Sequence, residues 1–109
     1  MMKKLLLTST FITLFSSAIA AEYKLDPSHS NARFYIDHFN TTTNHGGFYG
    51  ITGDVVFDPE NQTGEVEIII PVNTINTGDT GFDGHMLHAD LLNAEKAPEI
   101  TFKSTKWVF

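Results

Sequence analysis

The sequence predicts an all-β, antiparallel domain that one short helical segment interrupts. Apolar and polar residues alternate over four separate stretches between residues 31 and 104, which is typical of half-buried strands. Clusters of Gly, Pro, Asn and Asp separate these stretches, and such residues favour turns. Around residues 82–93 the apolar spacing changes to three or four residues, as in a helix. The sequence has no internal repeat and no interdomain linker, so we interpret residues 21–109 as one domain.

The first two predicted strands cover residues 31–38 and 51–57. One face of the first strand carries Ala32, Phe34, Ile36 and His38. One face of the second strand carries Ile51, Val55 and Phe57. Gly53 interrupts this second alternation, and glycine inside a strand often marks a bend or a bulge. We therefore expect a bend or a bulge at Gly53.

The next two predicted strands follow a turn-rich segment at residues 58–64. Residues 65–72 form the third strand, in which one face carries Val66, Ile68, Ile70 and Val72. Pro71 has no amide proton to donate to a neighbouring strand, so we expect a sheet edge or a bulge at that end. Residues 100–104 resume the alternation after the helical segment and form the fourth strand.

The helical segment, residues 82–93, carries large apolar residues at helical spacing. They fall on two neighbouring stripes, formed by Phe82, Met86, Ala89 and Leu92 and by Leu87 and Leu91. A helix this short is not stable alone in water. It is expected to persist only if its apolar stripes are buried against the sheet or inside its mouth.

Residues 1–20 have the pattern of a cleaved secretory signal peptide. Lys3 and Lys4 precede an apolar stretch, and Ala18-Ile19-Ala20 forms a cleavage site of small residues. A membrane-spanning helix is the alternative, but it needs about 20 nearly unbroken apolar residues. Serine and threonine interrupt this stretch repeatedly. The sequence therefore predicts export, with residues 21–109 as the mature domain.

The charge and the cysteine content exclude several classes of protein. Loss of Lys3 and Lys4 with the signal peptide changes the net charge from −6 to −8. A chain this acidic is not expected to bind the phosphate backbone of nucleic acids, and anionic membrane surfaces repel it. There is no cysteine, which excludes disulfides, thiolate metal sites and thiol catalysis. We expect no stable membrane insertion of the mature chain.

Metal binding and catalysis have weak support in the sequence. His85 and His88 are three residues apart, but no spacing ties a third ligand to them, and a zinc site needs three or four. Ser28 and His29 are adjacent, so on a strand their side chains would point to opposite faces. There is no Gly-x-Ser-x-Gly motif. The sequence therefore predicts no enzyme, no metal and no cofactor.

His38 has two interpretations, because it ends the apolar stripe of the first strand. It is either a polar group in a pocket that hydrogen-bonds a ligand headgroup, or a core histidine whose hydrogen bonds are satisfied.

Residues 78–105 resemble the signature of the YceI-like family of periplasmic polyisoprenoid-binding proteins. The matching residues are His85, Met86, Ala89, Asp90, Leu91, Leu92, Asn93, Ala94, Glu95, Lys96, Pro98, Phe102, Lys103, Ser104 and Thr105. Ala97 departs from the pattern, because the family usually has an aromatic residue there. Residues 23–30, 34–39 and 46–59 are similar to the family's first strands.

The resemblance implies an antiparallel lipocalin-like barrel that non-covalently binds a long-chain polyisoprenoid lipid, such as an isoprenoid quinone, for carriage or sequestration. The residues expected to bind the lipid are Phe34, Ile36, His38, Phe48, Phe82, Met86, Leu87, Leu91 and Phe102. Two alternatives come from other classes: an interaction module that uses an open sheet edge, and an envelope hydrolase.

Trp107, Val108 and Phe109 are expected to lie inside a strand, and the resemblance implies that further strands follow. The incomplete barrel is most simply explained as part of a longer domain. The alternative is a short natural form that completes its sheet by pairing with a second chain as a homodimer.

Overall fold

A computed structural model describes residues 19–109, and residues 1–18 of the predicted signal peptide lie outside the described residues. The described chain contains six strands, one short 3-10 turn and one helix. In chain order they are β1 (Ala21–Lys24), β2 (Ala32–His38), β3 (Thr42–Phe48), β4 (Thr52–Asp58), β5 (Thr63–Pro71), the 3-10 turn (Val72–Thr74), α1 (Thr80–Met86) and β6 (Glu99–Lys103). β1 begins directly after the predicted cleavage site.

Four of the strands form one antiparallel sheet in the order β1-β4-β5-β6. β4 and β5 form its centre and pair without interruption from Thr52 opposite Ile69 to Asp58 opposite Thr63. β1 and β6 pair on the two outer sides. The predicted antiparallel, all-β class is therefore confirmed, and the sheet does not close, which is consistent with an incomplete barrel.

β2 and β3 form a separate antiparallel hairpin. The chain reverses through Phe39 and Asn40, which both have positive φ angles, 53° and 56°. β3 was not among the strands that alternation predicts. Its sequence is mostly polar and contains two adjacent glycines, so it lacks the apolar spacing by which β2 and β4 are found.

The hairpin is joined to the rest of the chain beside the 3-10 turn. Gly47 of β3 exchanges backbone hydrogen bonds with Asn76, with N···O distances of 3.0 and 2.8 Å. The amide of Tyr49 donates to the hydroxyl of Thr74 at 3.0 Å. The most buried apolar side chains of the described chain flank this junction in sequence: Ile51, Val72 and Ile75.

Gly53 does not form the predicted bulge, because the pairing of β4 with β5 runs regularly through it. A Cβ atom at this position would lie 2.6 Å from the carbonyl oxygen of Glu67 and 2.7 Å from a methyl carbon of Leu25. Glycine is therefore required for close packing. Pro71 pairs with Glu99, and the amide of the next residue, Val72, donates to the carbonyl oxygen of Pro98 at 2.9 Å, so backbone hydrogen bonding on this side continues past the proline.

A single short helix is confirmed, but its bounds differ from the predicted segment 82–93. α1 begins after Asp79, whose side chain accepts a hydrogen bond from the amide of Phe82 at 3.0 Å. It ends at Met86, and the following residues form hydrogen-bonded turns that pass through Asn93 at a φ of 50°. The apolar stripes continued past the end of the helix, and they therefore gave no sign of where it stops.

Candidate functional site

The four-stranded sheet has one face composed almost entirely of apolar side chains, which we call the apolar sheet face. The strand register places the following side chains on this one side of the sheet: Tyr23, Val55, Phe57, Val66, Ile68, Ile70, Ile100 and Phe102. Tyr23 and Phe102, on the two outer strands, remain 56% and 53% exposed. This face thus offers apolar surface that other parts of the described chain do not cover.

The opposite face of the same sheet carries charged pairs. Lys24 lies 2.6 Å from Asp54, and Lys103 lies 3.2 Å from Glu65. The hydrogen bond from Lys24 to Asp54 raises the pKa of the lysine, and the charge of Asp54 adds to the effect. Both pairs are exposed, so they contribute little to stability. They show that the two faces of the sheet differ in polarity.

An aromatic cluster covers one end of the apolar sheet face. The ring of Trp107 lies 5.7 Å from that of Phe57 and 6.1 Å from that of Phe109, measured between centroids. The indole packs against Gly64, where a Cβ atom would lie only 2.4 Å from the ring. Trp107–Phe109 therefore fold back on the sheet instead of continuing a strand, contrary to the expectation from sequence. Trp107 and Phe109 were missed as candidate site residues, although their apolar character was visible.

The hairpin brings together two of the predicted lipid-binding residues, Phe34 and Phe48. Their ring centroids are 5.7 Å apart, and both side chains are half-buried. Gly46 lies opposite Phe34 in the pairing, and its missing side chain leaves room for the ring. Ile36 lies further along the same face of β2 and is 45% exposed.

His38 and Phe82 line one open groove of about 370 Å³ between the end of the hairpin and the start of α1. His38 is exposed, so the interpretation as a core histidine is wrong. Its ring packs edge-on against Phe39 at a centroid distance of 4.6 Å. The groove also contains the carboxylate of Asp79, so it is more polar than the pocket expected from sequence.

The remaining predicted residues lie elsewhere. Met86 and Leu87 are half-buried at the end of α1, whereas Leu91 in the following turns is 46% exposed. Phe102 lies on the apolar sheet face, opposite Ile68. The predicted set therefore falls into several parts: the aromatic pair of the hairpin with Ile36 nearby, the groove beside α1, the segment at the end of α1, and the apolar sheet face.

A family model described as the YceI-like domain matches residues 23–109. The chain belongs to the YceI-like family. It is 37% identical over 110 residues to Protein YceI of Salmonella agona and to Protein YceI of Escherichia coli O6:H1. It is 35% identical over 112 residues to a UPF0312 protein of Pectobacterium atrosepticum.

These alignments cover 95% to 97% of this YceI-like chain but 58% of each relative. The chain thus spans less than two thirds of the length of the curated relatives that it matches. The resemblance seen in the sequence is confirmed, and the relatives are bacterial proteins.

The residues considered for hydrolysis form a turn in the YceI-like chain. Asp26 accepts hydrogen bonds from the amide of Ser28 at 2.9 Å, and it lies 2.6 Å from Nδ1 of His29. The contact with His29 and the amide of Ser28 lower the pKa of the Asp26 carboxyl. All three residues are exposed. Asp26 thus stabilises the turn after β1, and the YceI-like family is not known as an enzyme family.

Neither a metal-ligand cluster nor a membrane-spanning helix is present in the described part of the chain. His85 and His88 have ring centroids 5.6 Å apart, yet within residues 19–109 no group of three His, Asp or Glu side chains is placed to hold a metal ion. Over the same residues, no helix is both long and apolar enough to cross a membrane.

Proposed function

We propose that this YceI-like protein binds a long-chain polyisoprenoid lipid, such as an isoprenoid quinone, non-covalently and carries or sequesters it in the periplasm. The observation that carries the proposal is the apolar sheet face, which leaves Tyr23 and Phe102 more than half exposed. A contiguous exposed apolar surface in a protein of this charge is a typical binding surface for an apolar partner.

The affinity comes from burial of the lipid tail. Each methylene group removed from water contributes about 0.8 kcal/mol, so an isoprenoid chain needs no charged contact to bind well. Phe34 and Phe48 add a second aromatic surface in the hairpin. Met86, which is half-buried at the end of α1, has a flexible thioether side chain that adapts to an irregular ligand.

Export is supported by residues 1–20, which combine a basic start, an apolar stretch and a small-x-small cleavage site, and the periplasm is the compartment that the family resemblance implies. The net charge of −8 after removal of Lys3 and Lys4 disfavours binding to anionic membrane surfaces. The protein would therefore take up lipid one molecule at a time.

A pair of substitutions on β6 tests the proposal. Phe102→Asp places a charge on the apolar sheet face, whereas Thr101→Asp places the same charge on the next residue, which faces the polar side. We expect the first variant to lose at least 90% of its co-purified lipid and the second to retain it, as measured by lipid extraction and mass spectrometry. If both variants were folded and retained the same amount of lipid, the apolar sheet face would not be the lipid-binding surface.

The hairpin and the end of α1 are tested in the same way by Phe34→Asp combined with Met86→Asp. Thr43→Asp is the matched control for the hairpin, because Thr43, which pairs with Asp37, points to the face opposite Phe34. Unchanged lipid retention in the folded double variant would show that these residues do not touch the lipid.

A second candidate function, pairing with another copy through β6, is favoured by the order of residues in that strand. β6 pairs with β5 and with no other strand among residues 19–109. An antiparallel pair of β6 strands centred on Thr101 would place Glu99 of each copy opposite Lys103 of the other, and Ile100 opposite Phe102. Two copies of β6 are therefore complementary in charge when they pair in this way.

Sedimentation velocity over a range of concentrations tests this second candidate. Lys103→Glu places like charges opposite each other and should abolish a concentration-dependent dimer. The double exchange Glu99→Lys with Lys103→Glu should restore it. A wild-type protein that stays monomeric throughout would exclude the candidate.

A further inference from the structure

A polar groove of about 270 Å³ lies between the hairpin and the segment that follows the 3-10 turn. The side chains that line it come from both parts of the chain: Arg33, Tyr35, His45, Tyr49, Asn76 and Thr77. Arg33, Tyr35 and His45 point to the face of the hairpin opposite Phe34 and Ile36. The groove is therefore separate from the surfaces proposed to hold the lipid tail.

The lining of this groove contains no Asp or Glu side chain. The chain as a whole has 13 acidic residues and 7 basic ones. The neighbouring groove at the start of α1, which shares His45 and Thr77 with it, contains Asp79. The polar groove thus combines a permanent positive charge with neutral polar groups.

Arg33 is the charged group of the groove. Its Nε–H donates to the side-chain oxygen of Asn31 at 3.3 Å, and within residues 19–109 it forms no ion pair. Lys24 and Lys103, by contrast, are both paired with carboxylates. The terminal nitrogens of the guanidinium are thus left for a ligand, and this group binds two oxygens of a carboxylate or phosphate in a fixed geometry.

Other donors converge on the same space. Tyr35 packs edge-on against His45 at a centroid distance of 4.7 Å, and both residues line the groove. The hydroxyls of Tyr35 and Tyr49 make no hydrogen bond within the described residues, although each can donate one. Asn76 accepts from the amide of Gly78 through its side-chain oxygen, so its NH₂ group remains available as a donor.

We infer that this groove is a binding site for an oxyanion, a carboxylate or a phosphate group, held by Arg33 with the hydroxyls of Tyr35 and Tyr49. The inference does not depend on the proposed lipid carriage, because the groove lies on the other face of the hairpin from Phe34. The oxyanion is either a free ion or the headgroup of a lipid.

Titration of the ¹⁵N-labelled protein with sodium phosphate, followed by NMR, tests the site. We expect saturable shifts at the Nε–H of Arg33 and at the amides of Gly46 to Tyr49, weakened by added NaCl. Arg33→Gln should weaken phosphate binding at least tenfold, and Tyr49→Phe should weaken it less. Lys106→Gln removes the same charge from an exposed residue outside the groove and should leave the binding unchanged.

A second titration distinguishes the two sources of the oxyanion. Vesicles of phosphatidylcholine with phosphatidylglycerol are compared with vesicles of phosphatidylcholine alone. Arg33-dependent binding of free phosphate supports a site for small anions, and Arg33-dependent binding of the anionic vesicles alone supports a lipid headgroup. If neither probe shifts these signals, or if Arg33→Gln binds as the wild type does, the inference is overturned. The NMR spectrum itself shows that each variant is folded.

Discussion

Glycine is required at position 53 because β4 and β5 approach each other closely there. The carbonyl oxygen of Glu67 would lie 2.6 Å from a Cβ at this position, and a backbone atom cannot move aside as a flexible side chain can. We therefore expect Gly53→Ala to lower the free energy of unfolding by about 1 to 3 kcal/mol. Urea denaturation followed by the fluorescence of Trp107 measures the effect.

Gly84 provides the control, because a Cβ atom there meets nothing within 4 Å. It lies inside α1, where alanine is favoured over glycine by up to about 1 kcal/mol. Gly84→Ala should therefore raise the free energy of unfolding. If both substitutions changed the free energy of unfolding in the same direction, close packing would not be the reason for the glycine at position 53.

Asp58 is a buried residue whose carboxylate is stabilised mainly by Asn61. The side-chain amide of Asn61 donates to it at 2.7 Å and the backbone amide of Asn61 at 3.1 Å. These hydrogen bonds lower the pKa of the Asp58 carboxyl. A lowered pKa stabilises the folded state above the ordinary pKa of aspartate, and this contribution disappears as the pH falls through the folded-state value.

The substitution Asn61→Ala tests this contribution. It removes the side-chain donor, so the pKa of Asp58 should rise toward its ordinary value and the variant should be less stable than the wild type near neutral pH. The difference should shrink as the pH falls from about 5 to about 2. Denaturation at several pH values, with an NMR titration of the carboxyl, measures both effects. A difference in stability that does not change with pH would contradict the assignment.

At the scale of elements, α1 depends on its N-terminal cap. The helix contains only seven residues, two of them glycines, and so has little stability of its own. The side chain of Asp79 satisfies the amide of Phe82. Asp79→Ala should therefore lower the free energy of unfolding by about 1 kcal/mol, whereas Asp79→Ser should keep most of it. Thermal denaturation compares the three proteins, and equal loss in both variants would show that the cap is not the cause.

The strands with regular alternation were predictable, and the polar strand was not. β2 was found because Ala32, Phe34 and Ile36 recur at every second position, as on one face of a strand. β3 lacks this pattern, and it is ordered by its pairing with β2 and by the bridge from Gly47 to Asn76. Such contacts join residues that are distant in the chain, and periodicity contains no information about them.

The sequence predicted the candidate site only where its residues lie on the two paired strands of one hairpin. Phe34 and Phe48 were both named from sequence, and the pairing of β2 with β3 brings their rings together. The cluster of Phe57 with Trp107 and Phe109 was missed, because it forms only when the end of the chain folds back over β4. Whether these residues bind lipid stays a prediction.

For the whole molecule, the open sheet is the central feature. The chain spans 58% of the length of its curated relatives, and the described strands form a sheet that does not close. An open sheet with one apolar face and exposed aromatic residues has surface available for a long apolar ligand. We therefore expect this surface to hold a lipid in the purified protein.

Native mass spectrometry of the protein, purified from a periplasm without detergent, tests this claim most directly. We expect a folded chain that carries a long-chain isoprenoid adduct, which organic extraction removes for identification. A folded chain that is bare in every preparation, although isoprenoid lipids are present in the same extract, would contradict it.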